Sequence, residues 1–298
     1  MKLAALLHNP GAGDEDHSIE ELINLIQDTL QLECRYFSTK EEGWEEFEPG
    51  TDLLIVAGGD GTVRKVAREL LNRKQIEKRL PIALLPFGTA NNIAKALQIR
   101  GNSEEVIQRW RNRHFIRFDV GRIEGIRGQK FLIEGFGYGV FPALIAAMKT
   151  PDKLLKTKPE RKMRLAIEVL EEVVLAQQPF YCSVDLDGKD MSGDFLMVEV
   201  MNIASIGPNL ALAPGADPAD GLLDVILVRE NDRRQLLDHI NHKRMGNDIQ
   251  LQLPVYKAKD IRLHCEEHII HVDDELIKLK ESLPVRIEMQ SGMLDFMV

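Results

Sequence analysis

Residues 52–62 read Asp-Leu-Leu-Ile-Val-Ala-Gly-Gly-Asp-Gly-Thr, and the chain continues Val-Arg-Lys-Val-Ala-Arg-Glu-Leu-Leu over 63–71. The unbroken apolar run at 53–57 fits a strand buried on both faces. The apolar residues at 63, 66, 67, 70 and 71 then recur with a helical period. Between strand and helix lies a turn with three glycines and one acid. Glycine lets a backbone approach a bound group closely and aim its N–H bonds at an anion. The helix start, expected at 62–63, adds the positive end of its dipole. Asp60 in that turn is placed to hold Mg²⁺ or to handle a proton. Gly58, Gly59, Asp60, Gly61 and Thr62 are therefore the first candidate site residues.

The same grammar repeats on either side. Residues 3–7 are apolar and run into Asn9-Pro10-Gly11-Ala12-Gly13, followed by a helical face at 19, 22, 23, 26 and 30. Residues 33–37 read as the next strand. Residues 81–85 form another, ending in Pro86-Phe87-Gly88-Thr89 before a helix over 90–97. Strand–turn–helix repeated three times implies a parallel sheet with helices on both faces. Ligands of such sheets bind beyond the carboxyl ends of the strands, where these turns lie.

Past about residue 118 the texture changes. Short β-like runs appear at 119–126, 130–134, 181–186, 195–202, 222–228, 261–265, 268–273 and 285–289. Two helical patterns interrupt them, over 163–174 and 233–245. Many short strands with turn punctuation point to an antiparallel sandwich or barrel. The expected architecture is an α/β nucleotide-binding domain over 1–120 and a β-rich, sandwich-like substrate domain over 121–287. The closing segment, about 288–298, is a candidate to return to the first domain.

Composition narrows the function classes. The 298 residues carry 38 Lys and Arg against 47 Asp and Glu, a net charge of −9. A chain this long buries a core without staples, and its acidic total speaks against coating nucleic acid. Cys34, Cys182 and Cys265 are far apart with no CxxC, and read as free thiols in a reducing cytoplasm. His264, Cys265, His268 and His271 match no zinc spacing and read as structural or surface residues. No apolar run approaches the ~20 residues of a membrane span, so a soluble, cytoplasmic protein is expected. The stretch 152–164 holds six basic and two acidic residues. It reads equally as a solvated helix start or as a patch for anionic lipid. Peripheral contact with an inner membrane face stays open, as does homo-oligomerisation.

Five blocks in chain order carry a resemblance. They are Asn9-Pro10-Gly11-Ala12-Gly13, Gly58 to Thr62, Pro86-Phe87-Gly88-Thr89-Ala90-Asn91-Asn92-Ile93-Ala94, Ala213-Pro214 through Asp220-Gly221-Leu222-Leu223-Asp224, and Val272-Asp273-Asp274-Glu275. Their pattern resembles the NPxxG, GGDGT, P-x-GT-x-ND-x-A, AP…DGLLD and VDGE segments of the diacylglycerol kinase catalytic-domain family, in particular the bacterial diacylglycerol kinase B and YegS-like lipid kinases. The resemblance implies a fold like that of NAD kinases and phosphofructokinases. It implies ATP-dependent phosphorylation of the hydroxyl of diacylglycerol or a related lipid, with Mg²⁺.

By the same resemblance, ATP lies on Asn9, Pro10, Gly11, Ala12, Gly13, Thr39, Gly58, Gly59, Asp60, Gly61, Thr62, Gly88, Thr89, Asn91 and Glu275. Asp273, with Asp60, is catalytic, Asp273 as the general base. A structural Mg²⁺ sits on Asp217, Asp220 and Leu222. Asp273 and Glu275 are expected on one face of a strand, two residues apart. Two positions depart from the family pattern. Asn92 stands for its aspartate, and Asp274 for a glycine able to take positive φ. A kinase of a soluble substrate such as NAD, and a non-catalytic nucleotide- or lipid-binding homologue, remain alternatives.

Overall fold

A computed structural model describes residues 1–12, 18–73, 78–128, 130–149, 159–247 and 251–298, with the backbone alone at 159 and 160. Gly13 and the 152–158 part of the basic stretch lie outside the described residues. The chain divides into two units, residues 1–118 with 292–298, and residues 119–291.

In the first unit the apolar run at 53–57 becomes β3 (Leu53–Gly58), buried throughout. It lies in a parallel sheet with β1 (Leu3–His8), β2 (Glu33–Ser38) and β4 (Ile82–Pro86), in the order β4-β3-β1-β2. Helix α1 (Ile19–Leu30) starts on a capping box, Ser18 Oγ accepting from the Glu21 amide and Glu21 Oε2 from the Ser18 amide. Helix α2 (Asp60–Asn72) begins earlier than the expected 62–63, so Asp60 itself stands in its first turn. Helices α3 (Asn92–Ala96) and α4 (Ser103–Arg109) follow β4. The returning end of the chain adds one more parallel strand, Phe296 opposite Ile82 and Met297 opposite Ala83. Phe296 is fully buried, its ring 5.1 Å from that of Phe118.

The strand order makes a switch point. From β1 the chain crosses through α1 to β2 on one side, whereas β3 lies on the other side and leads through α2 away to β4. The crossovers diverge between β1 and β3, leaving a crevice at the carboxyl ends of those strands.

The second unit is a β-rich sandwich with a helical layer. One sheet is antiparallel, in the order Val255–Ala258, Leu223–Val228, Met197–Met201, Gly135–Gly139, Ile269–Val272, Glu275–Lys278. Facing it are the strands Gly193–Phe195, Phe180–Leu186, Asp260–Cys265 and the first half of Val285–Met297. Phe136, Tyr138, Val198 and Val200 meet Val184, Ile261, Leu263 and Ile287 in the core between them. The other face of the first sheet is covered by α5 (Val140–Met148), α6 (Pro159–Ala176) and α7 (Arg233–Arg244). Burial on both faces explains why every residue of Leu223–Val228 but Asp224 is apolar.

Three features differ from the sequence expectation. The strand Gly135–Gly139 escaped because alternate glycines lack strand propensity. Helix α5 escaped because it is apolar all round and carries Pro142 in its first turn, where proline is tolerated. Cys182 and Cys265 are not free thiols but a disulfide, leaving Cys34 as the free cysteine. They oppose each other on neighbouring antiparallel strands, a pairing set by sheet register across a separation of 83 residues. Among the described residues no helix is long and apolar enough to cross a membrane.

Candidate functional site

The carboxyl ends of β4, β3, β1 and β2 stand in a row, each with its own loop. The loops after β3 and β4 touch backbone to backbone. A Cβ built on Gly59 would lie 2.9 Å from Gly88 Cα, and one on Gly88 only 2.4 Å from Gly59 Cα. Either side chain would force the loops apart, so both positions require glycine. Asp60 then ties α2 to α3. Its Oδ2 accepts from the Asn92 amide at 2.9 Å and its Oδ1 from the Ile93 amide at 3.0 Å. The carboxylate thus serves as the acceptor for the first amides of α3. Asn91, in the left-handed conformation at φ 52°, braces its own loop. Its Oδ1 accepts from the Gly88 amide at 2.9 Å, and its Nδ2 donates to the carbonyls of Pro86 and Gly88. Thr89 lies in the same loop, ahead of α3.

Across the switch point, Asn9 links the first loop to the second. Its amide donates to the Ala57 carbonyl at 3.0 Å and its Nδ2 to Thr62 Oγ1 at 3.2 Å. Its Oδ1 accepts from the Gly11 amide at 3.1 Å, and its carbonyl from the Ala12 amide at 2.9 Å. Pro10 sits in that turn, and Gly61 in the first turn of α2. Thr39 is buried, with amide and hydroxyl both donating to the His8 carbonyl, so it secures the end of β2 to β1.

The residue after it was missed by the sequence reading. Lys40 Nζ lies over the first loop, 2.8 Å from where a Cβ on Gly11 would stand. Lys65 reaches in from α2, donating to the Thr39 carbonyl at 3.0 Å with its ammonium 5.2 Å from the centroid of the Trp44 ring. The local signal was present in Ser38-Thr39-Lys40 directly after a strand. Nothing in it revealed that the cation reaches the neighbouring loop. Small residues, amides at a helix start and an ammonium make a cradle suited to phosphate groups.

In the second unit, Asp273 and Glu275 do not share a strand face. Asp273 and Asp274 form the two-residue turn between Ile269–Val272 and Glu275–Lys278, with Val272 opposite Glu275. The left-handed residue is Asp273, at φ 55°, whereas Asp274 has no positive φ. Glycine's freedom is therefore not what Asp274 lacks. Asp273 is buried, and its Oδ1 accepts from the amides of Ile133, Glu134 and Gly135 at 3.0, 2.8 and 3.2 Å. Its own amide donates to the Gly135 carbonyl at 2.7 Å. Two further residues support this turn. His271, read from the sequence as structural or surface, is fully buried and pairs with Glu199, which the sequence reading missed.

In the acidic turn expected to hold a structural Mg²⁺, a lysine ammonium stands against the carboxylates. Lys257 Nζ sits 2.6 Å from Asp220 Oδ2 and 3.9 Å from Asp224 Oδ1. Asp220 Oδ1 accepts from the Leu222 amide at 2.9 Å, and Asp217 Oδ1 from the Ala219 amide at 3.0 Å. The hydrogen bond to Asp220 raises the Lys257 pKa, so an ammonium ion supplies the positive charge here. Burial pushes Asp224 up to about 6, with Lys257 pulling the other way. Among the described residues no group of three His, Cys, Asp or Glu side chains could hold a metal ion.

A parallel α/β sheet with a switch-point crevice and a β-sandwich in the same chain match the architecture expected from the sequence. Comparison with known proteins takes this further. The family model of the diacylglycerol kinase catalytic domain matches residues 3–123, and that of the YegS C-terminal NAD kinase beta sandwich-like domain matches 152–298. A diacylglycerol kinase of Bacillus subtilis is 26% identical over 92% of this chain and 90% of its own. A protein of Stenotrophomonas maltophilia named "Probable lipid kinase YegS-like" is 31% identical over 67% of this chain and 65% of its own. In fold, the chain is similar to the crystal structure of a diacylglycerol kinase from Bacillus anthracis, with a TM-score of 0.75 and 23% identity over 99% of this chain and 96% of that one. The chain thus joins a domain of the diacylglycerol kinase catalytic family to one of the YegS C-terminal family, and the relatives compared are named as diacylglycerol or lipid kinases.

Proposed function

We propose that the chain is an ATP-dependent kinase acting on the hydroxyl of diacylglycerol or a closely related lipid alcohol. The observation that carries this reading is the cradle at the β1/β3 switch point, with Lys40 over Gly11 and the start of α2 beside it. Phosphoryl transfer asks mainly for positioning and for stabilisation of charge on the transferred group. The first amides of α2, in the Gly58–Thr62 turn, and the Lys40 ammonium supply that charge complement. Asp60 and Asn91 keep the loops in place. Mg²⁺ enters as the counter-ion of ATP, neutralising phosphate charge. Asp273, whose Oδ1 is fixed by three backbone donors, takes the proton of the lipid hydroxyl.

The test is labelled ATP with mixed vesicles of diacylglycerol, monoacylglycerol and long-chain amino alcohols, and separately with NAD. Label in a lipid product supports the reading. Label in NAD alone replaces it with a soluble substrate, and ATP binding without turnover replaces it with a non-catalytic role. Asp273→Asn keeps an acceptor for the three amides and removes the proton acceptor, so turnover should fall by about 10²–10⁴-fold in a folded protein. Lys40→Met should raise the KM for ATP by about tenfold, the worth of one charged hydrogen bond, with a smaller change in kcat.

A further inference from the structure

The six-stranded sheet carries an ionic pair where both faces are buried. Glu199, Gly137 and His271 stand in register on three neighbouring strands. Glu199 and His271 are fully buried, and the Phe141 ring of α5 lies 6.1 Å from the imidazole. The middle residue has to be glycine, since a Cβ on Gly137 would fall 2.1 Å from Glu199 Oε2. The glutamate thus reaches across an empty position to the histidine. His271 Nε2 lies 2.9 Å from Glu199 Oε1 and 3.1 Å from Oε2. His271 Nδ1 lies 2.7 Å from the main-chain carbonyl of Asp273.

Proton arithmetic fixes the roles. A carbonyl only accepts, so Nδ1 carries a hydrogen and donates it. One more proton is then shared between Nε2 and the Glu199 carboxylate, because a bare nitrogen facing a carboxylate would repel it. Burial works against charge on the ring, and the Glu199 carboxylate more than offsets it, so the His271 pKa is raised. Burial raises that of Glu199, against the pull of His271. Such a pair has no place in the phosphate cradle. What it touches is the turn of Asp273, whose backbone is left-handed, a conformation that aspartate tolerates better than most residues with a Cβ.

We propose that Glu199 and His271 form a positioning pair for Asp273. The ring Nδ1–H holds the Asp273 carbonyl and thereby aims its carboxylate, and Glu199 holds the ring in that tautomer. This rests on the reading of Asp273 as proton acceptor.

The test compares two double variants of the full chain. In Glu199→Gln with His271→Asn, the asparagine amide nitrogen replaces Nδ1 and keeps the bond to Asp273. In Glu199→Gln with His271→Gln, the longer amide points at residue 199 and leaves that carbonyl. The pair of variants is alike in charge, so a purely structural role moves both together. The proposal expects the asparagine variant to recover most of the turnover, and the glutamine variant to lose at least about tenfold in kcat at unchanged KM for ATP. It also expects faster hydrogen exchange at the amides of 133–135 in the glutamine variant alone. Equal kcat and equal exchange in the two overturn it. If the wild-type protein turns over neither lipid nor NAD while the exchange contrast persists, the kinase reading falls and the positioning pair stands. Should either variant fail to fold, ¹⁵N-labelled histidine in the wild-type protein decides. A proton on His271 Nδ1 supports the proposal, and a bare Nδ1 overturns it.

Discussion

Asp60→Ala should unfold the first unit at a lower temperature as well as silence the site. The carboxylate accepts one hydrogen bond from the Asn92 amide and one from the Ile93 amide, and both those residues are buried. A hydrogen bond to a charged group is worth about 1.5–3 kcal/mol. Two such bonds, discounted by about half because Asp60 is partly exposed, give a loss of about 1.5–3 kcal/mol. For a unit of this size that lowers the melting temperature by roughly 6–12 °C. Both tryptophans, Trp44 and Trp110, are buried and belong to the first unit, so tryptophan emission on heating reports its unfolding. Asp60→Asn keeps one acceptor oxygen but turns an N–H against the second amide, and should fall between wild type and alanine. A melting temperature within about 1 °C of wild type, with turnover abolished, would refute the reasoning. The carboxylate would then act on the ligand directly and not through the loops it joins.

Two further outcomes follow from the second unit. With Lys257 seated against Asp220, chelation by EDTA should leave the melting temperature of the wild-type protein unchanged. Lys257→Met should lower it and make it respond to Mg²⁺, whereas an EDTA-sensitive wild type would show that the acidic turn holds a metal after all. For Asp224, burial lifts the folded-state pKa to about 6, above the ordinary aspartate range of the unfolded chain. The folded state binds that proton more tightly, so stability declines as pH rises through this window and levels off above about 6. Asp224→Asn should flatten that stretch of the stability profile; denaturation profiles identical to wild type between pH 4 and 7 would contradict the assignment.

What could be read from the chain was whatever local chemistry determines. The apolar run at 53–57, its glycine turn and the helical period after it identify the parallel layer with no tertiary knowledge. Asp273 was marked only by the resemblance of its Val-Asp-Asp-Glu segment to a family motif, since local chemistry alone reads that run as a solvated turn. Its conformation was not legible, because the turn is set by strands Ile269–Val272 and Glu275–Lys278 closing on each other. Lys40, Glu199 and the Cys182–Cys265 bond escaped for a shared reason. Each acquires its role from a neighbour supplied by the sheet, respectively Gly11, His271 and the opposite strand. Gly137 shows the limit plainly. As a letter it weakens a strand, and in the sheet it is the gap through which one side chain reaches another.

The strand that closes the first unit carries a cost in time. Residues 1–118 leave the ribosome well before 292–298, which complete their sheet beside β4. At ordinary elongation rates the interval is roughly ten to thirty seconds. Throughout it β4 presents a bare edge, and Phe118 lacks the ring that later covers it. The second unit is meanwhile emerging and forming strands of its own. Synthesis of this protein therefore has an exposed interval built into its topology, in which a chaperone has most to protect and a premature stop leaves the sheet open.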